Sequence, residues 1–282
     1  MTTSADEVSR TPASILCGMR IPSINGPGIA LRDYGVAELT TAIEGLAVRG
    51  NRVHAGIHQA RKSIRRTRAM LGLGGTVLGP GADLIDRQLR RVNRRLSPLR
   101  DTHALVQTLE RVGMKARDEP TRNALDRARR NAARRRAALS HRPEFARELQ
   151  QDLAILVTLR AALQGLPWEC LPTSTVTEAM NSAAKKATAA RERACAHDDV
   201  EDWHRWRRRM RKISQQHRAV LAAGLAAPIS QFDKSLTEQL GVMQDLHLLA
   251  ARCDRDGVAL KRFADRALAQ QRKRIRSVVV HR

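Results

Sequence analysis

Apolar residues recur at intervals of three and four along most of the sequence, and this spacing constrains the fold more than any other feature. The spacing places apolar side chains on one face of an α-helix, and the abundance of Ala, Leu and Arg also favours helices. Aromatic residues make up only 2% of the chain, and runs of β-branched residues are few. We therefore predict an all-α fold.

The predicted helices form two groups, separated by a break that contains Gly165, Pro167 and Pro172. The first group is predicted at about 34–48, 51–71, 82–97, 98–114, 119–140 and 143–164. The second group is predicted at about 174–196, 199–225, 229–240, 242–255 and 257–276. Asp198 and Asp199 are suitable caps for the longest of these helices, because a short carboxylate accepts hydrogen bonds from free N–H groups.

Residues 1–33 mix Ser, Thr, Pro and Gly without an apolar period, so we predict that they form a flexible leader. The domain is then expected to cover residues 34–282, with a first half at about 34–165 and a second half at about 173–282.

The expected location is the cytoplasm. No apolar run reaches the ~20 residues that a membrane span requires, and the first residues lack a signal-peptide pattern. The four cysteines have no CxxC spacing and are interpreted as isolated thiols in a reducing compartment. They are Cys17, Cys170, Cys195 and Cys253.

The chain carries 51 Lys and Arg residues against 28 Asp and Glu residues, a formal net charge of +23. Hydrophobic residues make up 42% of the sequence, which is enough to bury a core, and this excludes a disordered basic tail. Most of the basic residues are arginines, whose planar guanidinium groups match phosphate oxygens and stay charged in any environment. The composition predicts a polyanionic partner.

A pattern of histidine, arginine and further basic residues occurs twice in the sequence. Its first copy covers residues 58–66 and its second covers 204–212. A second pair of similar segments, 96–105 and 240–249, follows at nearly the same offset. Two such pairs in the same order predict an internal duplication.

In each copy the basic residues share one face of a helix, opposite an apolar face. Neither basic stripe contains Asp or Glu, which would reduce the repulsion between its like charges. We therefore predict that an anionic partner reduces this repulsion. The first stripe consists of His58, Arg61, Lys62 and Arg65, with Arg66 and Arg68 on its flanks; the second consists of His204, Arg207, Arg208, Arg211 and Lys212. The helix at 82–97 has a further basic face, which either extends the anion-binding surface or is simply solvated: Arg87, Arg90, Arg91 and Arg94.

The duplicated helix, followed by a Leu-x-x-x-Arg-Asp segment, resembles the CHAD family, the conserved histidine α-helical domain. This resemblance implies two pseudo-symmetric helical halves around a basic groove that binds inorganic polyphosphate, and many family members locate to polyphosphate granules. It implies that both stripes and Arg100 bind the ligand. Asp101 and Asp245 are interpreted as ionised residues that orient neighbouring guanidinium groups. The sequence departs from the family pattern at Ile213-Ser214-Gln215, where a further Arg and an aromatic residue are usual, and at Gln244, where the second Arg-Asp site has no Arg.

A DNA- or RNA-binding, nucleoid-associated helical protein remains the alternative, because it would have similar electrostatics. Single-strand binders stack bases on aromatic side chains, but Trp203 and Trp206 are expected to lie in the core. Metal and enzyme functions have less support, since His54 and His58 have a metal-ligand spacing without a third ligand. We predict a non-catalytic polyphosphate-binding protein without cofactor or metal, associated with polyphosphate granules.

Overall fold

The computed structural model describes residues 26–114, 116, 118–227, 234–253 and 258–280, and these residues form helices without any strand. The predicted all-α fold is confirmed over this part of the chain. Its α-helices are α1 (Pro27–Ala47), α2 (Val53–Leu71), α3 (Gly79–Arg95), α4 (Ser97–Gly113), α5 (Glu119–Ser140), α6 (Phe145–Gln164), α7 (Thr173–His197), α8 (Val200–Ala222), α9 (Lys234–Cys253) and α10 (Val258–Val280). Short 3-10 helices lie at Gly50–Arg52 and Trp168–Cys170.

The first helix begins at Pro27 and therefore earlier than the predicted start near Tyr34. Proline suits the first helical position, because its φ angle is already helical and its missing N–H would have no partner there. Gly28 then packs against the main-chain carbonyl of Trp168, so closely that a Cβ at residue 28 would lie 1.7 Å from the carbonyl oxygen. The rest of the predicted leader, residues 1–25, lies outside the described residues.

The stretch predicted as two helices at 229–240 and 242–255 contains the single helix α9, which runs through Gly241 without a break. Glycine in a helix interior costs about 1 kcal/mol relative to alanine. Leu240 and Met243, which flank Gly241, are both buried in one hydrophobic cluster, and this packing outweighs the cost. The segment 228–233 lies outside the described residues.

Three main hydrophobic clusters hold the helices together. The first joins α1, α2, α3 and α6 to the beginning of α7 and the end of α8. The second joins α4 and α5 to α9 and α10, and the third lies among α7, α8, α9 and α10. The cores therefore combine helices from both sides of the break at Gln164–Thr173, whereas the internal duplication itself stays a prediction.

The predicted core faces of α2, α3 and α8 are largely confirmed. Ile57 and Ile64 are buried in the first cluster, and Trp203 and Trp206 are 0% and 1% exposed in the third. Leu221 has the spacing of the apolar face of α8 but is 44% exposed, because it lies in the last turn, where α8 ends at Ala222. Among the described helices, none has the length and apolarity required to cross a membrane.

Candidate functional site

The packing of α2 against α8 brings the two basic stripes together. The buried side chain of Gln216 fixes this contact by donating a hydrogen bond from Nε2 to the main-chain oxygen of Ala69, at 3.2 Å. Arg65, four residues before Ala69, and Arg211, five residues before Gln216, line the same cleft. The two stripes thus meet at these arginines.

Arg65 and Arg211 belong to a group that we call the central arginines. Burial lowers the pKa of Arg61 and Arg211 to about 10 and that of Arg207 to about 9, and it lowers the pKa of Arg65 well below its ordinary value. The charge of Arg100 lowers each of these four pKa values further. Because guanidinium groups stay charged, these shifts mean that the protein holds concentrated positive charge at a cost in free energy. The central arginines are Arg61, Arg65, Arg100, Arg207 and Arg211.

Two carboxylates lie at the edge of the central arginines. Arg100 is 3.3 Å from Asp101 and 3.8 Å from Asp245, which also lies 3.6 Å from Arg111. The charge of Asp101 partly offsets the lowering of the pKa of Arg61, and the charge of Asp245 does the same for Arg207. The two aspartates are therefore placed where they can orient guanidinium groups, while Arg65 and Arg211 form no ion pair with any described carboxylate.

Arg61 is tied to the junction between α3 and α4. Its guanidinium group donates hydrogen bonds to the main-chain oxygen of Asn93 and to Oγ of Ser97, the latter at 2.8 Å, and only 8% of the residue is exposed. These hydrogen bonds hold the guanidinium group in place. Arg61 therefore contributes positive potential to the site from a fixed position.

A cleft of about 1010 Å³ opens between α2, the turn before α3, α3 itself and α8. Among the described residues, Asp83 and Asp86 are the carboxylates that line it. Asp86 accepts hydrogen bonds from Arg68 at 2.8 and 3.2 Å and lies 3.8 Å from Arg90. Eight cationic side chains line the cleft, so positive charge dominates its walls. They are Arg65, Arg68, Arg90, Arg205, Arg208, Arg209, Arg211 and Lys212.

The structure places several predicted site residues outside this cleft. Arg66 forms a 2.9 Å ion pair with Glu38 of α1, and the exposed Lys62 is near Arg66 and Arg218. His58 is also exposed, with the charge of Arg100 nearby.

The face that α8 presents to the cleft is shifted by one residue from the predicted stripe. His204 lies against His247 of α9 with ring centroids 5.3 Å apart, and the charge of Asp245, also in α9, acts on Arg207. Arg205 and Arg209 line the cleft instead. Residues 205, 208, 209 and 212 follow helical spacing, and so do the residues of the predicted stripe. Spacing alone therefore does not distinguish the two faces.

The histidines near the site are largely neutral at pH 7. Burial lowers the pKa of His204, and it lowers that of His247 to about 4. Burial and the neighbouring Arg136 lower the pKa of His54, whose ring stacks on His103 at 6.2 Å. Within the described ranges, no group of three or more His, Cys, Asp or Glu side chains is arranged to hold a metal ion.

Known structures and a family profile both resemble this chain. Two solved structures have similar folds: PptA from Streptomyces chartreusis, with a TM-score of 0.56 and 20% identity over 89% of this chain and 95% of that one, and the CHAD domain from the plant Ricinus communis, with a TM-score of 0.52 and 16% identity over 90% and 89%. No match was found among curated proteins. The CHAD domain profile matches residues 35–254, which is most of the sequence, and the chain therefore belongs to the CHAD domain family.

Proposed function

We propose that this protein binds inorganic polyphosphate without chemically changing it, using the cleft and the central arginines. The observation that carries the proposal is the position of Arg65 and Arg211, which are largely buried beside other cations and have no ion-pair partner among the described carboxylates. Removing charges from water is costly unless they are paired. A polyanion would supply the missing negative charge.

The distribution of aromatic residues favours a phosphate chain over a nucleic acid. Trp203 and Trp206 lie in the third hydrophobic cluster, and among the described residues no Phe, Tyr or Trp lines the cleft. Base stacking contributes ~1–3 kcal/mol per base to typical single-strand binding, and these walls offer no side chain for it. Phosphate oxygens need only guanidinium and ammonium groups, which are abundant here.

The twelve predicted ligand residues divide into three groups in this proposal. Five line the cleft and contact the polyphosphate directly: Arg65, Arg68, Arg208, Arg211 and Lys212. Three lie beside them and supply positive potential: Arg61, Arg100 and Arg207. The remaining four lie outside the cleft: His58, Lys62, Arg66 and His204. Asp101 and Asp245 orient the arginines.

Binding without catalysis fits a role at polyphosphate granules in the cytoplasm, where a protein that binds long phosphate chains could remain attached. We propose this location on the basis of the ligand alone. Affinity would come from charge pairing and counterion release, so log K should fall steeply and linearly with log salt concentration.

A direct comparison of long-chain polyphosphate with duplex and single-stranded DNA across a range of salt concentrations tests this function. We expect tighter binding of polyphosphate at every salt concentration, and equal affinities would favour a general nucleic-acid binder. Turnover of polyphosphate to phosphate, or a stoichiometric bound metal, would point to an enzyme.

A set of variants tests the position of the site. The change of Arg61, Arg65, Arg207 and Arg211 to Ala should abolish binding, with helicity checked by circular dichroism. Because Arg61 also joins helices, the double variant Arg65→Gln with Arg211→Gln provides a milder version. Its matched control changes two exposed arginines of α3, Arg87 and Arg91, to Gln. Retained binding in the double variant would place the site elsewhere.

A further inference from the structure

We infer that Arg90, Arg205 and Arg209 form an outer binding site for polyphosphate, which binds the outer part of a long chain whose inner part contacts Arg65 and Arg211. This inference rests on the proposed function and adds three residues to it. None of the three belongs to the duplicated stripes. They lie on the two facing walls of the cleft, Arg90 on α3 and the other two on α8.

The wall formed by α8 presents a continuous row of positive charge. Arg205, Arg208, Arg209 and Lys212 follow one another at helical spacing, and all four line the cleft. Like charges three or four residues apart destabilise a helix by a few tenths of a kcal/mol per pair. Arg205 pairs with Asp202 and Arg208 pairs with Glu201, both in the first turn of α8, whereas Arg209 forms no ion pair with any described carboxylate. The repulsion in this row is therefore only partly relieved within the protein.

The opposite wall, formed by α3, carries Arg90, which shares the carboxylate of Asp86 with Arg68. Arg90 lies 3.8 Å from Asp86, but the same carboxylate already accepts two shorter hydrogen bonds from Arg68. The long ion pair of an exposed side chain contributes little stability, so Arg90 can turn to a phosphate at small cost. An anion between the walls would then be held from both sides.

The length of the row sets the size of the ligand. Residues 205 and 212 are separated by about 10 Å along the helix axis, at ~1.5 Å per residue. One phosphate ion cannot contact both ends of this row, whereas a chain of several phosphates can. The inner arginines should therefore bind short and long chains, and the outer site should contribute only to long ones.

A pair of triple variants with equal loss of charge tests the outer site. The first changes the cleft residues Arg90, Arg205 and Arg209 to Gln. The second changes three exposed arginines of α3 that lie outside the cleft, Arg87, Arg91 and Arg94, to Gln. Both are titrated with tripolyphosphate and with long-chain sodium polyphosphate at several salt concentrations.

We expect the cleft variant to lose about tenfold or more in affinity for the long chain, and its salt slope to become shallower by about 2 to 3. Its affinity for tripolyphosphate should change little, and the control variant should resemble the wild type with both ligands. Equal losses in both triple variants would overturn the outer site but leave the proposed function intact. Failure of the wild-type protein to bind either phosphate would overturn the proposed function itself.

The charge reversal Arg209→Glu provides a second test, because Arg209 has no described ion pair whose loss would disturb the fold. It should weaken binding of the long chain more than Arg87→Glu does. An equal effect of the two reversals would contradict a role for Arg209 at the outer site.

Discussion

The side chain of Gln216 in α8 donates a hydrogen bond to the main-chain oxygen of Ala69 in α2, across the contact that brings Arg65 close to Arg211. Gln216 is 1% exposed, so the carbonyl of Ala69 cannot gain a water molecule in its place without rearrangement. This bond therefore contributes, with the apolar packing of the first cluster, to the alignment of the two basic helices.

The change Gln216→Leu should lower the free energy of unfolding by about 1–3 kcal/mol, because it leaves a buried carbonyl without a donor. Urea denaturation of the ligand-free protein measures this loss. Gln215, which lines the cleft next to it, provides the control, and Gln215→Leu should have a much smaller effect. Similar losses for the two variants would show that the bond to Ala69 does not matter.

The change Arg211→Met should stabilise the ligand-free protein by about 1–3 kcal/mol at low salt, since it removes a largely buried and unpaired cation while keeping much of the side-chain volume. Thermal unfolding in low-salt buffer tests this. The same variant should gain less stability than the wild type when polyphosphate is added. Arg87→Met is the exposed control, and a destabilised Arg211→Met protein would contradict the cost that we assign to the central arginines.

Stability should fall as the pH falls from about 6.5 to about 4, because His247 takes up a proton in the unfolded chain but not in the folded one. Burial, with Arg272 and His204 nearby, lowers its pKa to about 4 in the folded protein. A difference of this size corresponds to about 3 kcal/mol, and above pH 6.5 the contribution disappears because the ring is neutral in both states. Denaturation at a series of pH values measures the slope.

His247→Gln should make that slope shallower, whereas the same change at the exposed His141 should preserve it. An unchanged slope in His247→Gln would assign the pH dependence to other groups.

Asp198 should tolerate substitution by Asn far better than by Ala. It ends α7 in the left-handed conformation at φ 53°, accepts a 2.9 Å hydrogen bond from Nε1 of the buried Trp203, and lies within 3.3 Å of Arg272 and Arg276. Asn keeps an acceptor and adopts this backbone conformation readily, whereas Ala does neither. We expect losses of about 1 kcal/mol or less for Asn and about 2–4 kcal/mol for Ala, measured by chemical denaturation. Equal losses would contradict this role.

Gly241→Ala should raise the free energy of unfolding by about 1 kcal/mol, since a Cβ at this position in α9 would meet no atom within 4 Å. Thermal unfolding provides the measurement. The same substitution at Gly28 is the counterpart, because there a Cβ would collide with the Trp168 carbonyl, and it should be strongly destabilising. A loss of stability in Gly241→Ala would mean that the glycine is needed for reasons of packing.

The helices and their buried faces could be predicted from the sequence because both depend on neighbours three and four residues apart. Ile57, Ile64 and Leu89 lie in the core as their spacing indicates. The break at Gly241 was wrongly predicted, because a local preference of about 1 kcal/mol was outweighed by the burial of Leu240 and Met243.

The candidate site could be predicted less completely, because its geometry depends on residues far apart in the sequence. Glu38 pairs with Arg66, and His247 contacts His204; nothing near the stripes indicates either partner. Both contacts hold predicted site residues outside the cleft. Arg205 and Arg209, which line the cleft, were missed, and Arg90 was placed only on a face that either extends the anion-binding surface or is solvated.

The second hydrophobic cluster has a consequence for synthesis on the ribosome. It joins α4 and α5 to α9 and α10, which are translated only after α6, α7 and α8. The apolar faces of α4 and α5 therefore lack these partners until α9 and α10 have emerged. A chaperone that shields apolar segments would act longest on these two helices, and a protein truncated before α9 would expose the same faces permanently.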